Sequence, residues 1–192
     1  GSYLRGLGGK TVSIGRDNRL SSFDLQGAAI EGLLSTGCQV LDVGQLPTPA
    51  FYFSVIHYKT DGGIMVTASH NPPHYNGFKM RLGEQAVFGE EIQKIASIIE
   101  AGAYAEGRGK REKREVIDGY LSAIKARIRL KRRLKVVADA GNGTAGPLVT
   151  RLLSDLGCDL VELYCEPDGT FPHHLPDPTV DDNLADLIAR VR

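Results

Sequence analysis

Apolar positions along the chain fall into two patterns: short continuous runs, and longer stretches in which they recur every three or four residues. The first suits strands buried on both faces, the second amphipathic helices. Runs at 10–15, 39–43 and 62–66 predict strands. Between them, Ser21 or Ser22 reads as the cap of a helix whose apolar face is Leu25, Ala28, Ala29, Gly32 and Leu33 and which Gly37 ends. Thr48 reads as the cap of the next helix, with Pro49 at its first position and Phe51, Val55 and Ile56 facing inward. Residues 78–82 alternate as a half-exposed strand. Too few residues precede them for a helical crossover, so this strand is expected antiparallel to 62–66. Ile92, Ile95, Ile98 and Ile99 mark an amphipathic helix over 90–101. The Gly-, Lys- and Arg-rich stretch 102–114 reads as a linker, which divides the chain near residue 111 into units 1–111 and 112–192. The second unit repeats the alternation: helix 116–129, strand 134–139, helix 148–156, strand 159–164, a proline-rich loop 166–178 and a helix over 183–190. Strands alternating with helices give an α/β fold with mostly parallel pairing.

Charge narrows the partners. Twenty-three basic residues balance 23 acidic ones, and the basic clusters at 108–114 and 127–133 have no aromatic platform beside them, so they read as solvated and no nucleic acid is expected. No apolar stretch is long enough to cross a bilayer, so no membrane partner is expected either. Cys38, Cys158 and Cys165 are an odd number without C-x-x-C spacing, which favours a reducing compartment and a cytoplasmic location.

The candidate chemistry lies where the apolar run 62–66 stops. Thr67-Ala68-Ser69-His70-Asn71-Pro72-Pro73 follows it, and the prolines forbid both a continued strand and a helix, which leaves Ser69 at the lip of a sheet. A serine hydroxyl needs a neighbouring base to become a nucleophile. His70 adjoins it and Lys79 follows ten residues on; either can move a proton, and a charged lysine neutralises phosphate. At the end of the first predicted strand, Arg16 could fork onto a phosphate or bond locally around Asp17. Arg19 is a weaker candidate of the same kind.

Thr67-Ala68-Ser69-His70-Asn71-Pro72 together with Asn76-Gly77-Phe78-Lys79 resembles the phosphoserine loop of the α-D-phosphohexomutases, the phosphomannomutases and phosphoglucomutases. Gly15-Arg16-Asp17, the turn 139–146 and the loop ending Pro176-Asp177-Pro178 resemble further segments of that family's first two domains. The resemblance implies two three-layer α/β/α units with mixed, mostly parallel sheets. It implies a phosphate carried on Ser69, Lys79 as general acid/base with His70 assisting, and Arg16, Thr67, Asn71 and Asn76 as phosphate or substrate contacts. The implied reaction interconverts hexose 1- and 6-phosphates of mannose or glucose through a bisphosphorylated sugar, with Mg2+ held in part by the Ser69 phosphate. Family members have four domains. The chain is therefore expected to be a piece truncated at both ends, without the D-G-D-G-D-R metal loop, catalytically inactive alone, and prone to self-association through exposed sheet edges.

Two other readings compete. Gly141-x-Gly143-x-x-Gly146 follows a predicted strand and precedes a helix, with Glu162 sixteen residues past Gly146, as in a dinucleotide-binding oxidoreductase. That acid comes early and only one βαβ unit is present. The other alternative is a non-catalytic binding module that retains the loop without a phosphate. His173 and His174, beside several acids, invite a metal, but adjacent residues rarely converge on one ion and structural roles are expected.

Overall fold

A computed structural model describes all residues 1–192. The first unit is built on a six-stranded sheet. β1 (Thr11–Arg16) is central, flanked in parallel by β2 (Gln39–Gln45) and β3 (Gly62–Val66). β4 (Phe78–Leu82) pairs antiparallel with β3, as its spacing predicts, and the short β5 (Gln85–Ala86) pairs antiparallel with β4. Helices cover both faces, and the sheet's side chains divide between them. Val12 and Ile14 of β1 pack with Ile30 and Leu33 of α2 (Ser22–Ser35) and with Leu4 of α1 (Ser2–Gly6). On the opposite face Met65 of β3 packs with Phe51 and Val55 of α3 (Thr48–His57). A Cβ on Gly63 would lie 2.7 Å from Val55 and 2.8 Å from Phe51. The bare backbone at Gly63 is what lets α3 seat this closely.

Local details depart from the sequence reading for identifiable reasons. Ser21 occupies the N-cap of α2 without a capping bond, and Ser22 is wholly buried because its hydroxyl bonds Asp17. The inward face of α2 consequently carries Ser22 and Gln26 beside Ile30 and Leu33, while Ala28 and Gly32 are exposed. α3 begins one residue early, with Pro47 as its N-cap, and Ile56 points to solvent. No side chain of α4 (Glu90–Glu100) is fully buried.

The largest departure is in the expected linker. β6 (Lys110–Lys113) pairs parallel with β2 as the outer strand of the first sheet. Its four side chains are exposed, so neither apolar character nor alternation betrays it. The backbone ladder holds it, assisted by Arg111, which donates through Nε and Nη2 to the buried Asp42 carboxylate (3.1 and 2.5 Å). Gln26 Nε2 and the Gly44 N–H satisfy the other oxygen of Asp42.

The second unit carries the two-stranded parallel sheet β7 (Lys135–Asp139) and β8 (Asp159–Leu163). α5 (Ile117–Lys125) spans the junction, contacting α3 of the first unit and α6 (Gly146–Asp155) of the second. A 3₁₀ turn (Asp181–Leu184) leads into α7 (Ala185–Val191), which packs on β7. α6 and α7 thus supply the helical cover of the small sheet.

Candidate active site

β3 ends at Val66, and the chain leaves the sheet through Thr67 and Ala68, both buried, before Ser69 and His70 emerge. Ser69 has φ +58°. A non-glycine residue in this left-handed region costs of the order of 1–3 kcal/mol and persists only where its surroundings fix it. Several bonds do so. The Ser69 N–H donates to Thr67 Oγ1 (3.0 Å), the Thr67 N–H to the Gly77 carbonyl (2.9 Å), and the Asn71 N–H to the Ala68 carbonyl (3.1 Å). The hydroxyl is left open to a cleft of about 560 Å³ between the two units.

Lys79 and His70 line the same cleft. β4 carries Lys79 opposite Met65 of β3, which fixes the direction of the side chain on a rigid ladder. Its amine forms no hydrogen bond or ion pair within the chain, so its three donors are uncommitted. Asp177, from the second unit, also lines it; its carboxyl is held below the usual range chiefly by the Thr179 hydroxyl and N–H, with His70 adding to the effect.

Of the remaining candidates, Thr67 and Arg19 also line the cleft, whereas Arg16, Asn71 and Asn76 do not. Arg16 does not line the cleft: Nη1 donates to Gln45 Oε1 (2.7 Å) and to the Asp17 carbonyl (3.1 Å), and the guanidinium lies over Phe23. This is the local bonding alternative, with Nε and Nη2 unpartnered. Thr67 is 7% exposed, and its hydroxyl accepts from the Ser69 N–H. Asn76 is no substrate contact in this arrangement, because both of its amide hydrogens are committed, to Ser21 Oγ and Ser22 Oγ at 2.9 Å, and its Oδ1 accepts from the Gly77 N–H. It ties the loop's far end to the start of α2. Asn71 is exposed and contributes its carbonyl to Arg19. Arg19, expected at most to reach a phosphate, is 2% exposed and lies beneath the loop.

The opposite wall belongs to the second unit, and the sequence reading gave its Asp139 and His174 no part in the chemistry. Asp139 ends β7 and accepts from the Gly141 N–H (2.9 Å); His174 Nε2 lies 3.1 and 3.2 Å from its two oxygens. Both residues line the cleft. Asp139 stands at the carboxyl end of a parallel strand, where ligands gather, and that was the available signal. His173 turns away to Asn142 Oδ1 (2.7 Å) and stacks on Tyr164 at 3.9 Å. The paired histidines therefore do not converge on one ion. No three His, Cys, Asp or Glu side chains of the chain are grouped to hold a metal.

Fold and cleft together define a two-unit α/β protein that presents a backbone-strained serine and an unpartnered lysine to a shared inter-unit space. Residues 1–106 match the family model described as phosphoglucomutase/phosphomannomutase, alpha/beta/alpha domain I, and residues 118–192 match the corresponding domain II. The chain belongs to the phosphoglucomutase/phosphomannomutase family. It is 43% identical over 192 residues to a phosphomannomutase/phosphoglucomutase of Pseudomonas aeruginosa, covering 100% of this chain and 42% of that protein. A phosphoglucomutase of Neisseria meningitidis serogroup B is 43% identical over 183 residues, 94% of this chain and 40% of the relative. Among solved structures, a phosphoglucomutase/phosphomannomutase family protein from Burkholderia thailandensis superposes with TM-score 0.94 at 46% identity, over 98% of this chain and 43% of that one. The chain thus spans about two fifths of the length of the curated relatives it matches. Family membership disfavours the dinucleotide-binding alternative.

Proposed function

We propose that Ser69 is the phosphate carrier of an enzyme that interconverts hexose 1- and 6-phosphates of mannose, glucose or both. The observation that carries this reading is the exposure of a conformationally fixed Ser69 into a cleft that it shares with Lys79, an amine without a partner in the chain. The names of the relatives support the same reaction class.

In the proposed step, a sugar hydroxyl oxygen bonds to the phosphorus on Ser69 while the phosphorus–Oγ bond breaks. Lys79 takes the hydroxyl proton, and the departing Ser69 oxygen takes up a proton from water at the cleft mouth, which leaves the serine as its neutral hydroxyl; the protonated amine offsets the phosphate's charge, and His70 assists at the rim. After the bisphosphorylated sugar turns over in the cleft, the other phosphate returns to Ser69 by the reverse of the same exchange. The magnesium implied by the family, and the cytoplasmic location that the unpaired cysteines favour, belong to this proposal. When bound, magnesium would neutralise developing phosphate charge. The side chains of this chain do not by themselves form its ligand set, so no step above depends on it.

Intact mass and phosphopeptide mapping test the reading, on the parent enzyme purified from its native host. A phosphate on Ser69 is expected, absent in Ser69→Ala, and Lys79→Ala is expected to slow phosphoryl transfer by about 10²–10⁴-fold. A parent enzyme that interconverts the sugar phosphates with Ser69 unmodified would overturn the assignment. The 192-residue chain by itself is expected to interconvert nothing, and measurable turnover by it would refute that part.

A further inference from the structure

We propose that Arg19 is the positioning residue of the Ser69 loop, and that the second unit keeps it in place through Phe171. Arginine has five N–H donors in a fixed fork. Here Nε donates to Asp17 Oδ2 (3.1 Å), Nη1 to the carbonyls of Pro72 (2.6 Å) and Tyr75 (3.3 Å), and Nη2 to those of Ser69 (3.0 Å) and Asn71 (2.7 Å). Every donor is used, so none remains for a sugar phosphate. Four carbonyls between residues 69 and 75 converge on one cation whose side chain is 1% exposed. The loop cannot change conformation without leaving a buried charge short of partners, which is far costlier than the strain at Ser69.

Part of the cover over that cation comes from across the junction. The Phe171 ring, itself buried, lies 5.4 Å from the guanidinium carbon. Next to it, Asn18 Nδ2 donates to the Asn142 carbonyl (2.7 Å). No hydrogen bond runs from the second unit to residues 69–76; besides the charge of Asp177 facing His70, the contacts that reach the loop's support are those on Asn18 and Arg19.

The inference deepens the reading of Ser69 as the phosphate carrier, but its test needs no phosphate, so the two can fail separately. Amide hydrogen exchange of the 192-residue chain, with the intraresidue amide-to-Hα NOE of Ser69, which is strong at positive φ because the two protons lie closer there, reads the loop directly. Arg19→Lys keeps the charge and loses the fork. Exchange over 69–76 is expected to rise at least about tenfold while β1 and β3 keep their protection. The Ser69 NOE is expected to weaken as negative φ becomes populated. Phe171→Ala, a change in the other unit, is expected to raise loop exchange in the same residues by a smaller factor, about threefold. A folded Arg19→Lys chain with an unchanged Ser69 NOE would overturn the positioning role. So would a uniform rise in exchange across the first unit with that NOE unchanged, since lost global stability alone produces it. Should Arg19→Lys fail to fold, Phe171→Ala carries the test, and an unaltered loop in that variant overturns the inference.

Discussion

Asn142 offers the sharpest test of how the junction is built. It is 5% exposed, has φ +56°, and occupies the turn after β7. Its side chain donates from Nδ2 to the Glu166 carbonyl (2.9 Å) and places Oδ1 2.7 Å from His173 Nδ1. Its backbone carbonyl receives Asn18 Nδ2 and the Asp168 N–H. Asn142→Ala removes two partly buried side-chain bonds at about 1 kcal/mol each. It also puts a residue less tolerant than asparagine into the left-handed region, for roughly 1 kcal/mol more. The expected loss is about 3 kcal/mol, which for a chain of this size lowers the melting midpoint by about 6–12 °C. Asn142→Gly loses the same bonds but escapes the backbone penalty, so its expected loss is only about 2 kcal/mol, a third less. Thermal and urea unfolding of the three proteins, followed by circular dichroism, measures both gaps. Equal stability of the glycine and alanine variants would refute the strain argument. An alanine variant within about 0.5 kcal/mol of the parent would refute the hydrogen-bond argument as well.

Two further outcomes follow from the first unit. Asp61 Oδ2 accepts from the Lys10 N–H, the Thr11 N–H and the Thr11 hydroxyl at 2.7–2.9 Å, and the Lys10 bond leads the effects that depress its pKa below 3.8. A group whose pKa is lowered on folding adds stability that is complete above its unfolded value and fades as pH falls through the folded one. Asp61→Asn should therefore flatten the stability profile below about pH 4, and an unchanged acid slope would exclude Asp61 as a contributor. Gly63→Ala should cost about 1–3 kcal/mol by driving Phe51 and Val55 off the sheet, read as a shift in the urea midpoint at constant slope, and a neutral substitution would mean that α3 can retreat freely.

The central strands and their helices were legible because burial on both faces writes itself as uninterrupted apolar runs, as in β3. β6 was not, because an edge strand held by its backbone can be charged throughout, and Lys110-Arg111-Glu112-Lys113 is. Ile56 was misplaced by periodicity alone: the helix turns it outward while Ser54, wholly buried, returns its hydroxyl to the Phe51 carbonyl. In the candidate site, Ser69, His70 and Lys79 could be grouped from spacing on one loop and strand. The Asp139–His174 pair spans 35 residues and two elements, and no local pattern encodes such a meeting. Asn76 and Thr67 show the converse limit. Polar residues beside a candidate nucleophile read as ligand contacts, yet here the Asn76 amide is spent wholly on holding the loop and the Thr67 hydroxyl accepts from the Ser69 backbone.

The outer position of β6 also restricts how the two halves can move. Between its last residue, Lys113, and the first of α5, Ile117, only Arg114, Glu115 and Val116 intervene. Arg114 is stitched to the Asp42 carbonyl, the Glu115 carbonyl receives the Tyr58 hydroxyl, and Val116 is buried. The tether is thus moored along its whole length. A free swing of the halves would have to break those bonds, so the width of the mouth around Ser69 is set by a pinned pivot and by the seating of α5 on α3.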